Sequence, residues 1–402
     1  MTGAGQVAGP LAGIRIIDLS QIVSGPMATT ILADQGADVI KVESPGGDPV
    51  RRMGPAKGDL SAMFIAVNRG KQGLSIDVKS GGGRAILERL IAGADVVVDN
   101  FRPGTMDRLG FGHDRCRALN PRLIYAAITG FGTDGPYANI RVYDPVVQAV
   151  SGIAATQIDG AGRASLVRTL VADKVTAVTM AQAITAALFH RERTGEGQRV
   201  DVAMLDAAMA FNWPEGMYNH SFRDDPPPPY PEYGALARLW PCADGQVAIG
   251  MMQDIEFIAL ARSLGRDDLA GDTRFHSVGG RMAHREEWAP AIAAEIAART
   301  KDELMAGFIR EGAVGGRVNG CAEAADDPQV VHNRIVVAID HGSAGRVDNA
   351  RPPARFSATP AAVAGPAPHL GEHGTAVLMA LGYDADAIAA FLAAGAVFGI
   401  EG

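Results

Sequence analysis

Short apolar runs alternate with helical patterns over the first half of the chain. Residues 14–19 (IRIIDL) are rich in β-branched side chains, and Gly25-Pro26 separates them from a helical stretch, MATTILADQGA. A second apolar run, DVIKVE at 38–43, completes a βαβ unit, which requires parallel strands joined by a right-handed crossover. The pattern recurs: GRAILERLIAGA leads into the strand DVVVDNF, and a further helical segment leads into RLIYAAITGFG. Alternation of this kind predicts an α/β fold with a doubly wound, Rossmann-like parallel sheet. Ligands in such sheets lie beyond the carboxyl ends of the strands, where the loops 20–26, 44–48, 100–104 and 130–136 fall.

The spacing of Val175, Val178, Ala181, Ile184, Ala187 and Leu188 predicts a helix over 172–193, closed by the Thr194-Gly195-Glu196-Gly197 turn. Asp173 falls in its first turn, where a carboxylate can act simply as a cap contributing about 1 kcal/mol. Four consecutive prolines at 226–229 stiffen an extended segment and predict a domain boundary. Beyond them, WPCADGQVAIGM reads as two strands around Asp244-Gly245, and helices are predicted near 254–264, 284–299 and 301–311, a smaller α+β module. The pattern becomes loop-rich after about residue 325, and 375–394 predicts two closing helices.

Composition narrows the function. A formal net charge of -8 argues against nucleic acid or an anionic membrane as partner, because both require a basic face. The cysteines Cys116, Cys242 and Cys321 are too far apart to form a disulfide framework or a zinc site, and a reducing cytoplasm fits them best. The opening MTGAGQVAGPLAG has neither a basic nor an apolar leader region, and no apolar stretch is long enough to span a bilayer, so neither export nor a membrane is expected. Any disorder is expected in the first few residues.

The chemistry visible in isolated motifs is weak. The segments at 47–49 (GDP), 68–71 (NRGK) and 100–104 (NFRPG) put polar or charged side chains beside glycine or proline in loops, compatible with phosphate binding and equally with a solvated surface. There is no G-x-G-x-x-G after the first strand and no P-loop, which removes the leading motifs of nicotinamide enzymes and P-loop nucleotidases. A G-x-S-x-G elbow and an H-E-x-x-H pair are also missing, and the histidines, His190 among them, have no ligand spacing. These patterns alone support an α/β enzyme with a phosphorylated ligand.

The order of longer blocks is more specific. LAGIRIIDLSQIVSGPMATTILADQGADVIKVESPGGDPVR, NRGKQGLSIDVKS, ADVVVDNFRPGTMDRLGFG, NPRLIYAAITGFGTDGPY, YDPVVQAVSG, RTGEGQRVDVAMLDA, DPQVVHNR, RPPARFSATP and LGEHG follow one another along nearly the whole chain. Together they resemble the family III CoA-transferases, the group of formyl-CoA transferase, carnitine CoA-transferase and α-methylacyl-CoA racemase. The resemblance implies an acyl-CoA:carboxylate CoA-transferase that uses coenzyme A as its acyl carrier, needs no metal, and works as an interlocked homodimer.

It also implies site residues. Val23 and Ser24 resemble backbone contacts to CoA, and Asn68, Arg69, Gly70 and Lys71 resemble contacts on the adenosine side. Asn100, Phe101, Arg102 and Arg108 match further CoA positions, while Arg141, Val142, Tyr143 and Asp144 lie where the family places a basic residue near the phosphates. The family's nucleophilic aspartate corresponds to Asp173, about thirty residues after the Tyr143-Asp144 pair. Tyr143 replaces the histidine of the racemase branch, and Gln253 replaces its glutamate; both count against racemisation. VAIGMMQDIEF replaces the glycine-rich flap of formyl-CoA transferase, which argues against oxalate, and Met251 and Met252 would suit an apolar acyl group or simple packing. An acyl-CoA racemase and a non-catalytic CoA-binding protein are the alternatives. The implied organisation is a large CoA-binding domain at 10–200 plus 351–402, a linker at 201–230, a small domain at 231–324 and a return linker at 325–350.

Overall fold

The computed structural model describes residues 9–158, 161–233 and 238–399. The opening residues, for which disorder and the lack of a leader were expected, lie outside the described residues as far as Ala8. Two compact units result, one running to Pro214 and resuming at Asn333, the other comprising Glu215–His332. No helix among the described residues is long and apolar enough to cross a membrane.

In chain order the first unit runs β1 (Arg15–Asp18), α1 (Ser24–Asp34), β2 (Asp38–Glu43), the two-residue strands β3 (Ala56–Lys57) and β4 (Leu60–Ser61), α2 (Ala62–Asn68) and β5 (Gln72–Ile76). It continues through α3 (Gly81–Ala92), β6 (Val96–Asp99), α4 (Thr105–Leu109), α5 (His113–Leu119), β7 (Ile124–Thr129), α6 (Asp144–Val150) and α7 (Ile153–Thr156). Then come α8 (Val171–Thr194), β8 (Arg199–Ala203) and α9 (Met204–Gly216). The second unit holds a three-stranded antiparallel sheet of β9 (Leu239–Cys242), β10 (Gly245–Ile249) and β11 (Gly315–Arg317), with helices Asp254–Ser263, Arg285–Ala297 and Lys301–Glu311 around a core that includes Trp240, Phe257 and Trp288. A hairpin of β12 (Val336–Asp340) and β13 (Arg346–Ala350), helices Gly374–Ala380 and Ala385–Ala393, and β14 (Val397–Phe398) return to the first unit.

The seven-stranded sheet has the order β14-β5-β2-β1-β6-β7-β8, parallel except for β14. Alternate side chains explain why it is covered on both faces. Ile16, Val39, Val96, Val98, Ile124 and Ile128 pack with Leu32 of α1 and Met180 and Ile184 of α8. Their neighbours Ile17, Ile40, Val97 and Tyr125 pack on the other face with Ile86 and Leu90 of α3 and with Val377 and Leu378 near the carboxyl terminus.

Three strands of the seven-stranded sheet were not marked by the sequence pattern. β5 (QGLSI) and β8 (RVDVA) interrupt their apolar residues with glycine, serine or charge, and β14 has two residues. The segment 201–230 contains the end of β8 and the whole of α9, and 325–350 contains the β12–β13 hairpin. On α8, Val178 is 56% exposed while Ala177 and Met180 are buried, because a helix so rich in alanine carries little apolar contrast between its faces.

Candidate active site

From β1 the chain first builds outward through β2 to β5, then crosses back to lay β6, β7 and β8 on the opposite side. The order reverses between β1 and β6, so the loops leaving these two strands diverge and open a crevice at their carboxyl ends. Asn100, just after β6, ties the loops together: it accepts the Gln21 N–H at 2.8 Å and donates to the Gln21 carbonyl at 2.7 Å. A cavity of about 310 Å³ occupies this crevice, lined by Gln21, Ile22, Ser24, Phe101, Arg141 and Asp173 among others.

Two glycines make the walls possible. A Cβ on Gly25 would stand 2.3 Å from Cβ of Ser20, so α1 can approach the β1 loop only without a side chain there. A Cβ on Gly130, after β7, would stand 1.9 Å from the Val142 side chain.

Asp173 enters from the first turn of α8 and is 9% exposed. It does not serve as a side-chain cap: the N-cap Leu170 has no side-chain hydrogen bond, and the backbone N–H of Asp173 is instead accepted by Asp144 Oδ2 at 3.1 Å. Asp144 opens α6 and is itself held by the Gln148 amide, whose oxygen accepts the Val167 N–H at 2.9 Å and fixes the approach to α8. Burial is the larger influence on the Asp173 carboxyl and Asp144 the next, and together they push it up to about 6, against hydrogen bonds from the Ser24 hydroxyl and N–H that favour its charged form. With a value of about 6, the ionised form of Asp173 still predominates at pH 7.

Of the residues singled out from the sequence, Ser24, Asn100, Phe101, Arg102, Arg141, Val142, Tyr143 and Asp173 line this one cavity. Val23 is buried immediately behind it, and Asp144 is buried beneath Asp173. Arg108 lies outside the lining and donates to Thr105 Oγ1 at 2.8 Å. The 68–71 segment is not part of the cavity lining. Asn68 donates to the Phe64 carbonyl, Arg69 pairs with Asp34 at 2.6 Å, and Lys71 is buried against Asp18 at 2.8 Å. Gly70, with φ +73°, has Ala364 packed against it. The exposed His190 is remote from this chemistry.

The cavity also includes Ile128, Thr129, Ala138, Ile140 and Met204, none of them singled out from the sequence as a site residue. Thr129 closes a strand that was predicted, so its position at the ligand edge was accessible to the argument. Met204 follows the unpredicted β8 and was hidden inside a presumed linker.

The buried Asp173 carboxyl and the exposed guanidinium groups of Arg102 and Arg141 thus line one crevice at the reversal point of an open α/β sheet, where such sheets bind ligands. The model of CoA-transferase family III matches residues 11–374, and the chain belongs to that family. It is 37% identical to a succinate–glutarate CoA-transferase of Agrobacterium fabrum, over 92% of this chain and 96% of that one. It is 35% identical to a succinyl-CoA:mesaconate CoA-transferase of Haloarcula marismortui, over 94% and 97%. A solved CAIB/BAIF family protein from Brucella suis superposes with a TM-score of 0.81 at 33% identity, covering 94% of this chain and all of the other.

Proposed function

We propose that this protein moves coenzyme A between an acyl-CoA thioester and a free carboxylic acid, with Asp173 as nucleophile. One observation carries the reading: the Asp173 carboxylate opens into a cavity at the sheet's reversal point while its Ser24 and Asp144 contacts hold it in place. Asp173 attacks the donor thioester, forming a mixed anhydride and releasing CoA thiolate. The thiolate attacks the aspartyl carbonyl, giving an aspartyl-CoA thioester and the donor acid. The acceptor carboxylate attacks this thioester to form a second anhydride, and CoA returns to the acceptor's acyl carbon, regenerating Asp173. A thioester is exchanged for a thioester, so the steps need no net energy input.

The residues suit these charges. Arg102 and Arg141 stand at the rim, where guanidinium forks can take CoA phosphates. The Ser24 N–H, at the start of α1, is a donor suited to an oxyanion developing beside Asp173. Tyr143, in the lining and 64% exposed, stands where the racemase branch has a histidine, which disfavours racemisation. Phe189, Phe211 and Trp213 expose large apolar surfaces on α8 and α9, which supports burial against a second copy of the chain.

The experiment is a screen of acyl-CoAs against succinate, glutarate, mesaconate and oxalate, with hydroxylamine trapping of the acyl-enzyme. Wild-type protein is expected to give a hydroxamate at Asp173 and CoA exchange. Normal turnover by Asp173→Ala would refute the mechanism.

A further inference from the structure

Behind the cavity lies a charged cluster that the reaction as described does not use. Asp18 ends β1, Lys41 lies in β2 and Asp48 follows β2; their side chains are fully buried, as is that of Lys71. Lys41 Nζ reaches Asp48 Oδ2 at 3.0 Å and also donates to the Ser20 carbonyl. Both oxygens of Asp48 accept the N–H of Ile22 at 3.1 Å, and Oδ1 also takes the Val50 N–H at 3.0 Å. Asp48 is fixed in turn by its own N–H, which donates to Glu43 Oε1 at 2.8 Å.

Burying ion pairs is a poor way to gain stability, since apolar side chains of similar volume often serve as well. What this cluster specifies is a backbone. Ile22 has φ +68°, a left-handed conformation that a β-branched residue adopts only when its surroundings impose it. The carboxylate of Asp48 imposes it through the Ile22 N–H, while Asn100 separately holds Gln21. The loop so bent presents Gln21 and Ile22 to the cavity and delivers Ser24 to Asp173.

We infer that Asp48 and Lys41 are positioning residues for the transfer reaction, holding the β1–α1 loop in the bent form that keeps Ser24 against Asp173. The inference rests on the reading of Asp173 as nucleophile. Asp48 lies outside the cavity lining and acts through Ile22.

The test is exchange of labelled CoA into succinyl-CoA by full-length Asp48→Asn, measured across pH. Misplacing Ser24 is expected to lower kcat about tenfold to a hundredfold with little change in KM. Asp173 faces Ser24 from α1 and Asp144 from α6, so losing the Ser24 hydrogen bonds leaves burial and Asp144 in command, and the acid limb of the profile should rise by about one pH unit. Ile22→Asn added to Asp48→Asn should recover part of the kcat, because asparagine tolerates the left-handed region. Should Asp48→Asn not fold, Lys41→Met with Asp48→Leu removes the pair without leaving a buried charge unpaired, and the same kinetic signature is expected. A folded variant with wild-type kcat and an unmoved acid limb, or with a change in KM alone, overturns the inference. Asp173→Asn run alongside separates the two failures: exchange by that variant defeats the nucleophile reading, whereas its inactivity beside a normal Asp48→Asn defeats only the loop-holding role.

Discussion

Replacing Asp173 with asparagine should destroy activity and strengthen the fold. In the folded protein the carboxyl titrates at about 6 rather than at its ordinary 3.8, chiefly because of burial and secondarily because of Asp144. The ionised form is therefore disfavoured by folding, and a shift of this size corresponds to about 3 kcal/mol at neutral pH. A folded-state value raised above the unfolded one means that stability is intact below pH 3.8 and is lost as pH rises through about 6. Asparagine keeps the shape and can still accept from Ser24 through its carbonyl oxygen, but carries no charge. Its gain should be about 2–3 kcal/mol at pH 7.5, shrinking to under about 1 kcal/mol at pH 4, where most unfolded chains also begin to protonate the carboxyl. In a unit of this size that is a rise of roughly 3–5 °C in Tm. Calorimetry of wild type and variant at both pH values, following the transition of the larger unit, measures it. Equal melting at pH 7.5, or an advantage that stays the same at pH 4, would refute the account of Asp173 as a carboxylate held against the preference of its surroundings.

Wild-type exchange should fall as pH drops through about 6, because the proposed role of Asp173 requires its ionised form; a flat rate between pH 5 and 8 in a stopped CoA-release assay would contradict this. Asp144→Asn removes the neighbouring charge while keeping an oxygen for the Asp173 N–H, so that acid limb should move to lower pH, read from the same profile. Gly25→Ala forces a Cβ to within 2.3 Å of Ser20 and should cost about 2 kcal/mol or more in urea unfolding, with loss of exchange. Arg141→Ala should raise KM for acyl-CoA severalfold with kcat nearly unchanged, because a rim contact made equally to bound substrate and transition state changes binding alone.

The sheet was legible where β-branched and other apolar residues dominate its strands. IIDL, DVIKVE, VVVD and IYAAIT each declare a buried strand, and their order with the intervening helices gives the doubly wound plan. β5 and β8 were not legible because QGLSI and RVDVA break their apolar residues with glycine, serine or charge, although Leu74, Ile76 and Val202 pack into the cores once the strands pair with β2 and β7. Missing β8 had a direct consequence: Met204 was assigned to a linker, although it follows the sheet's edge strand and lines the cavity. Asp173 was located by its distance from Tyr143-Asp144, yet the reason for that distance is tertiary, since Asp144 accepts its backbone N–H across 29 residues.

The 68–71 segment shows what residue type alone leaves out, namely the internal partners of each side chain. A lysine beside a glycine in a loop reads as a phosphate ligand, but Lys71 has Asp18, the Pro26 and Val67 carbonyls and Asn68 around its ammonium group. Four acceptors surround this buried cation, whereas Arg102 and Arg141 are exposed at the rim. The distinction follows from where strands end. Asp18, Glu43 and Asp99 close β1, β2 and β6, placing acidic groups just beneath the carboxyl edge where the loops turn. Inside the fold Lys71 meets Asp18 and Lys41 meets Asp48, whereas Arg102 and Arg141 lie farther along the loops, exposed beside the cavity. A cation one turn nearer the sheet holds the backbone in register, and one farther out can meet the ligand.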